Sequence, residues 1–153
     1  MRPHPLAAAL VLAAACVGDP ARGVWARGEA VAQLVAEQAR VAEPGTTLRL
    51  ADLAPFRWER LYVLPGGGAP TPLADSLGPD WPALAGGAPT GREGAPRLVF
   101  LVGGAVVAAG ALPTDAAELA PELLARSWPA DSAVVRVERR AGAVPRLVPA
   151  ILP

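Results

Sequence analysis

Along the chain the spacing of hydrophobic positions changes several times, and each change marks an element. Within residues 27–42, Val31, Leu34, Val35 and Val41 recur at helical spacing, while Glu29, Gln33, Glu37 and Arg40 fall mostly on other faces. The pattern predicts an amphipathic packing helix, stopped by Glu43-Pro44-Gly45. Residues 46–50 and 56–64 read as strands; the second lies between Pro55 and Pro65 and is rich in aromatic and β-branched side chains. A period of two puts Phe56, Trp58, Tyr62 and Leu64 on one face of it, and Leu61 and Val63 on the other with Arg57 and Glu59.

The Gly-rich run 65–70 predicts a loop, and residues 71–78 a two-turn helix with a capping Thr, an early Pro and a closing Gly. Pro79-Asp80-Trp81-Pro82 ends that helix, and residues 83–96 read as a second Gly/Pro-rich loop. The strongest local signal follows. Residues 97–102 and 105–112 are β-prone runs flanking Gly103-Gly104, a pair that tolerates the positive φ angles of a tight hairpin turn. A membrane span over the uncharged residues 98–114 is the rival reading. That segment falls short of about 18 consecutive apolar residues and carries Gly-Gly at its centre, so the hairpin is preferred.

Residues 114–126 predict a helix capped by Thr114 or Asp115, with Leu119, Leu123 and Leu124 inward and Pro121 near its first turn. Residues 132–138 predict a strand, and Ala141-Gly142 a turn into 146–152, where Pro149 restricts the last strand to an edge. No internal repeat is evident. The sum is an α+β domain: a mainly antiparallel sheet of four to six strands with helices packed on one face.

The N-terminus departs from this pattern. Arg2 precedes an uncharged apolar stretch of about a dozen residues ending in small side chains, the order of a secretory signal. The stretch is shorter than the roughly 20 residues a membrane helix needs, and Gly18-Asp19-Pro20 breaks any continuation. Leu12-Ala13-Ala14-Ala15-Cys16 resembles the lipobox of bacterial lipoproteins, where a Cys after a run of small residues is diacylated and becomes the new N-terminus. Ala13 stands where the lipobox usually has Leu. Ordinary signal cleavage after Ala15 is the alternative. The chain thus divides into a signal peptide (1–15), a tether (16–26) and one domain (27–153). The absence of Asp at position 17 favours retention at the outer membrane.

Composition then narrows the chemistry. Fourteen Arg, no Lys and fourteen acids cancel to zero charge, which argues against a nucleic-acid partner. One Cys excludes an internal disulfide framework. With residues 1–15 removed, His4 is lost, and Cys16, if lipidated, is blocked. The mature chain then lacks imidazole and free thiol, so a Ser-His-Asp triad, a Cys-His dyad and a His-based zinc site are excluded. Thirteen Arg against fourteen acids leave it one net negative charge.

Several candidate sites stand beside plainer readings. Trp58 and Tyr62 on one strand face, with Trp81, would suit a glycan or peptide ligand, though core packing explains the pair equally well. The 65–68 loop lacks the Lys and Ser/Thr of a phosphate cradle. Asp75 and Asp80 are a weak acid/base pair with no implied convergence. Arg139-Arg140 could touch anionic headgroups. No catalytic residue, metal ligand or cofactor is expected.

Phe56-x-Trp58-Glu59-x-x-Tyr62-x-Leu64, Leu77-Gly78-x-x-Trp81 and Leu98-Val-Phe100 with Gly104 resemble a group of small uncharacterised bacterial exported proteins and lipoproteins. The likeness covers roughly residues 48–112. Glu59 replaces the group's usual Asp, and Pro65-Gly-Gly-Gly replaces an aromatic-Pro-Tyr. The resemblance implies placement and fold, not activity. The expectation is therefore a non-enzymatic interaction module of the bacterial cell envelope, held on the membrane through Cys16 and facing the periplasm, with another envelope protein as a possible partner. The alternative is a soluble periplasmic or secreted binder using its Trp/Tyr face.

Overall fold

The computed structural model describes residues 18–150, so the signal segment and Cys16 lie outside the described residues. The chain runs α1 (Pro20–Val41), β1 (Thr47–Arg49), α2 (Leu50–Leu53), β2 (Arg60–Leu64), α3 (Thr71–Ser76), α4 (Trp81–Gly86), β3 (Arg97–Val102) and β4 (Ala105–Ala111). Then follow β5 (Glu118–Leu119), a 3-10 turn (Pro121–Leu123), β6 (Arg126–Pro129), β7 (Val134–Glu138) and β8 (Arg146–Pro149). The result is α+β with mainly antiparallel pairing. The strands form two four-stranded sheets, ordered β1-β7-β8-β5 and β4-β3-β2-β6, and only β5 with β8 runs parallel.

The two sheets enclose the larger core. Leu61 and Val63 of β2 and Leu98 and Phe100 of β3 meet Leu48, Val135, Val137 and Leu147 of the facing sheet. Alternation sends Leu64, Val99 and Leu101 to the opposite face, where Leu77, Trp81 and the partly buried Leu73 and Leu84 cover them. The helices therefore do not keep to one face. Helices α3 and α4 cover the outer face of the β4-β3-β2-β6 sheet, α2 joins the inter-sheet core through Leu50, and α1 serves both sides.

Helix α1 reaches both sides by crossing the sheet edge. Its buried face is Val24, Trp25, Gly28, Val31, Ala32, Val35, Ala36 and Ala39, a run of three- and four-residue steps. Val24 and Trp25 pack in the outer core, and Val31 to Ala39 in the inter-sheet core. At the crossing, Gly28 lies directly on the backbone of Ala109 and Gly110 in edge strand β4. Helix side chains also satisfy that strand's unpaired groups. Arg27 Nε donates to the Val107 carbonyl at 2.9 Å, and Glu29 Oε1 accepts from the Ala111 amide at 2.9 Å.

Several expectations are corrected. Residues 20–26 are not tether but the first turns of α1, because the Asp19 carboxylate caps the Ala21 amide at 3.0 Å and Pro20 suits the first turn. At the other end Val41 is 67% exposed, beyond the last buried turn. The predicted helix over 114–126 is absent. Pro113 and Pro121 break it into a turn, β5 and the 3-10 turn, and Ala125 turns the chain into β6 with φ +54°. The strand predicted from Phe56 begins only at Arg60. The loop predicted from residue 83 opens inside α4. Strand β8 is internal, not an edge, at Arg146 and Leu147, although two-residue β5 leaves Pro149 uncovered on that side. The hairpin forms as expected, with Gly103 at φ +54° and Gly104 at +80°.

Candidate functional site

Trp58, Tyr62 and Trp81 do not share a face. Residues 57–59 precede the regular strand, so the period of two fails there. Trp58 turns into the inter-sheet core and meets Phe100 edge-on, with ring centroids 5.2 Å apart. Tyr62 lies on the outer face of β2, and Trp81 is buried in the outer core, tilted against Trp25 at 6.4 Å. Two of the three aromatics are therefore core, for the packing reason that applies to most large rings.

Tyr62 alone reaches a surface groove. Pro70, Pro72, Leu73, Ser76, Ala125 and Ser127 line it with Tyr62, enclosing about 370 Å³. Its two serine hydroxyls are engaged internally: Ser76 Oγ donates to the Pro72 carbonyl at 3.2 Å, and Ser127 Oγ accepts from Arg60 at 3.0 Å. The cavity between the sheets has an apolar lining that includes Val35, Leu61, Leu98, Trp128 and Leu147, and holds about 20 Å³. That is room for one water, with no polar partner to retain it.

The weaker candidates resolve as structure. Gly67 donates its amide to the Glu93 carbonyl at 3.1 Å, tying the 65–70 loop to residues 91–95. Asp75 and Asp80 are both exposed, one in α3 and one just before α4. Arg139 is committed to α1: its guanidinium donates to the carbonyls of Ala39 and Ala42 at 3.1 and 3.0 Å and also to Arg40, closing the helix C-terminus. Arg140 stays exposed. Glu93 Oε1 accepts from the Gly91 amide at 2.9 Å, and that bond holds its carboxyl below the usual glutamate range.

The remaining feature is the N-terminal end of α1, and sequence reasoning placed its start seven residues late. Trp25 Nε1 donates to the Leu84 carbonyl at 2.9 Å, its ring lies 5.5 Å from the Arg97 guanidinium, and Val24 is buried beside it. Asp19, Arg22, Ala26, Gly87 and Pro89 surround a shallow recess of about 400 Å³ floored by Trp25 and Glu29. The Asp19-Pro20 cap signature and the Val24/Trp25-Gly28-Val31 steps were the signals available for it. Among the described residues no helix is long and apolar enough to cross a membrane, and no group of His, Cys, Asp or Glu is placed to hold a metal. Comparison with protein-family models, curated proteins and solved structures finds no match for the chain.

Proposed function

We propose that this protein is a lipid-anchored module of the bacterial cell envelope. Residues 1–15 act as the export signal, Cys16 becomes the acylated N-terminus, and the α+β domain faces the periplasm as a non-enzymatic partner for another envelope component. One observation carries the reading. Asp19, the cap of helix α1, lies three residues past the lipobox-like Leu12–Cys16 run, close to where lipoprotein processing would leave the chain. Export also removes His4, and with it the only imidazole. Two or more acyl chains hold a protein stably on a bilayer without help from basic residues, which suits a near-neutral surface. The test expresses the full-length chain in a bacterial host beside Cys16→Ala. Wild type is expected in the membrane fraction with a diacylglyceryl-modified Cys16, and the variant is expected to lose both. An exported wild-type chain with unmodified Cys16 would refute the reading.

A further inference from the structure

We infer that α1 is a strap over a self-pairing edge: where it lifts from β4, that strand pairs antiparallel with β4 of a second copy of this chain. Among the described residues the two sheets leave four edge strands, and three of them carry their own block. Strand β1 is three residues long, with Arg49 exposed at its end. Strand β5 is two residues long, starts at the exposed Glu118 and runs on into Pro121. Strand β6 opens on the exposed Arg126 and closes on Pro129, which has no amide hydrogen to donate. Charge, proline and shortness are the usual defences of a sheet edge. Strand β4 has none of them. Its seven residues are Ala-Val-Val-Ala-Ala-Gly-Ala, inside a run from Leu98 to Leu112 without charge or Pro. Such a strand meets its own copy without like-charge repulsion.

Helix α1 supplies the missing defence. Leu112 donates its amide to the Pro96 carbonyl at 2.9 Å, and Gly110 and Ala108 stand opposite Leu98 and Phe100. By antiparallel alternation, Ala109 and Ala111 turn their backbone groups away from β3, toward where a further strand would lie. Those positions are taken. Gly28 lies on Ala109, Glu29 accepts from the Ala111 amide, Arg92 donates to the Ala111 carbonyl at 3.4 Å, and Arg27 donates to the Val107 carbonyl. The crossing is also where the helix holds least by apolar burial. Between Val24 and Trp25 on one side and Val31 and Ala32 on the other, residues 26–30 bury only Gly28. The hold there is polar and depends on a glycine, and a strand in its place would offer the same backbone groups amide and carbonyl partners. Strap and edge both lie within residues 20–111, so their behaviour is independent of Cys16 and of any anchor.

The experiment uses the full-length chain with Cys16→Ala, so that no acyl group adds to association, and reads mass by sedimentation equilibrium at increasing concentration. With α1 otherwise unaltered, a monomer is expected. Gly28→Val, whose added carbons meet the Ala109 backbone, should lift the strap and double the mass. Adding Val107→Lys, a charge at a half-buried position of the pairing strand, should return the protein to monomer. Arg27→Ala with Glu29→Ala keeps every apolar anchor of α1 and reads the same equilibrium where Gly28→Val does not fold. In that double variant, hydrogen exchange at the Ala111 amide should be fast in dilute samples and severalfold slower in concentrated ones. A double variant that stays monomeric with exchange independent of concentration would overturn the inference, as would a dimer that Val107→Lys leaves intact.

Discussion

Gly28→Ala probes how α1 crosses the sheet edge, and the structure gives both terms of its cost. In an isolated helix the change would stabilise by about 1 kcal/mol, because Ala loses less backbone freedom. Here a Cβ on Gly28 would stand 2.5 Å from the Ala109 amide nitrogen and nearer still to its carbonyl group. Ordinary contact needs about 3.5 Å, so helix and strand must part by about 1 Å or more. No side chain can rotate aside, since the obstacle is backbone. Overpacking of this kind costs about 1–3 kcal/mol even where side chains can adjust. Separation would also stretch the Glu29–Ala111 and Arg27–Val107 hydrogen bonds, about 1 kcal/mol each. The net expectation is a loss of about 2–4 kcal/mol.

Gly23→Ala on the same helix is the control. Its Cβ would meet only the flexible tip of Arg27 at 3.6 Å. It should gain most of the 1 kcal/mol of helix propensity. Urea unfolding of the domain from residue 17 onward, followed by Trp fluorescence, measures both. The midpoints are expected to move in opposite directions. A Gly28→Ala domain as stable as wild type would refute the backbone-on-backbone crossing.

Other outcomes follow from single contacts. Glu29→Ala leaves the buried Ala111 amide without its acceptor and should cost about 1–2 kcal/mol, with faster hydrogen exchange at that amide; Arg92→Ala, which breaks the half-exposed ion pair and a long 3.4 Å bond to the Ala111 carbonyl, should cost less, under about 1 kcal/mol. Arg139→Ala uncaps the C-terminus of α1 and should destabilise by about 1 kcal/mol, while Arg140→Ala should be neutral in the same melts. The folded Glu93 carboxyl titrates below its unfolded value. Its contribution to loop order is therefore complete above the usual glutamate range and lost as pH falls through the depressed folded value; the Gly91 amide NMR shift should follow that lower midpoint. Trp58→Ala should unfold or strongly destabilise the domain, whereas Tyr62→Ala, on the groove, should cost clearly less in the same urea melts.

What the sequence carried locally, it carried well. Gly103-Gly104 between two β-prone runs specified the hairpin because only positive φ angles close that turn. Val31 and Val35 marked the core face of α1. The misreadings have identifiable causes. Gly, Pro and Ala at 17–26 look like spacer composition, yet Asp19-Pro20 is a cap and Trp25 continues the apolar stripe. Residues 114–126 carry helical leucines, but Pro113 and Pro121 and the pairing of β5 with β8 override propensity. The Trp58–Tyr62 face failed because alternation holds only inside a regular strand, and β2 starts at Arg60. The division into two sheets depends on partners up to about ninety residues apart, such as Thr47 with Arg136, and no local window contains that information. For the candidate site, the lipobox-like run and the Asp19 cap were both legible; that Val24 and Trp25 bury the first turns of α1 in the outer core is visible only in the fold.

The most direct test of the account is the mass of the N-terminal peptide from protein isolated from native membranes. A chain beginning at Cys16 and carrying a diacylglyceryl group is the predicted result. A chain beginning at an unmodified Cys16, or still carrying residues 1–15, would contradict it.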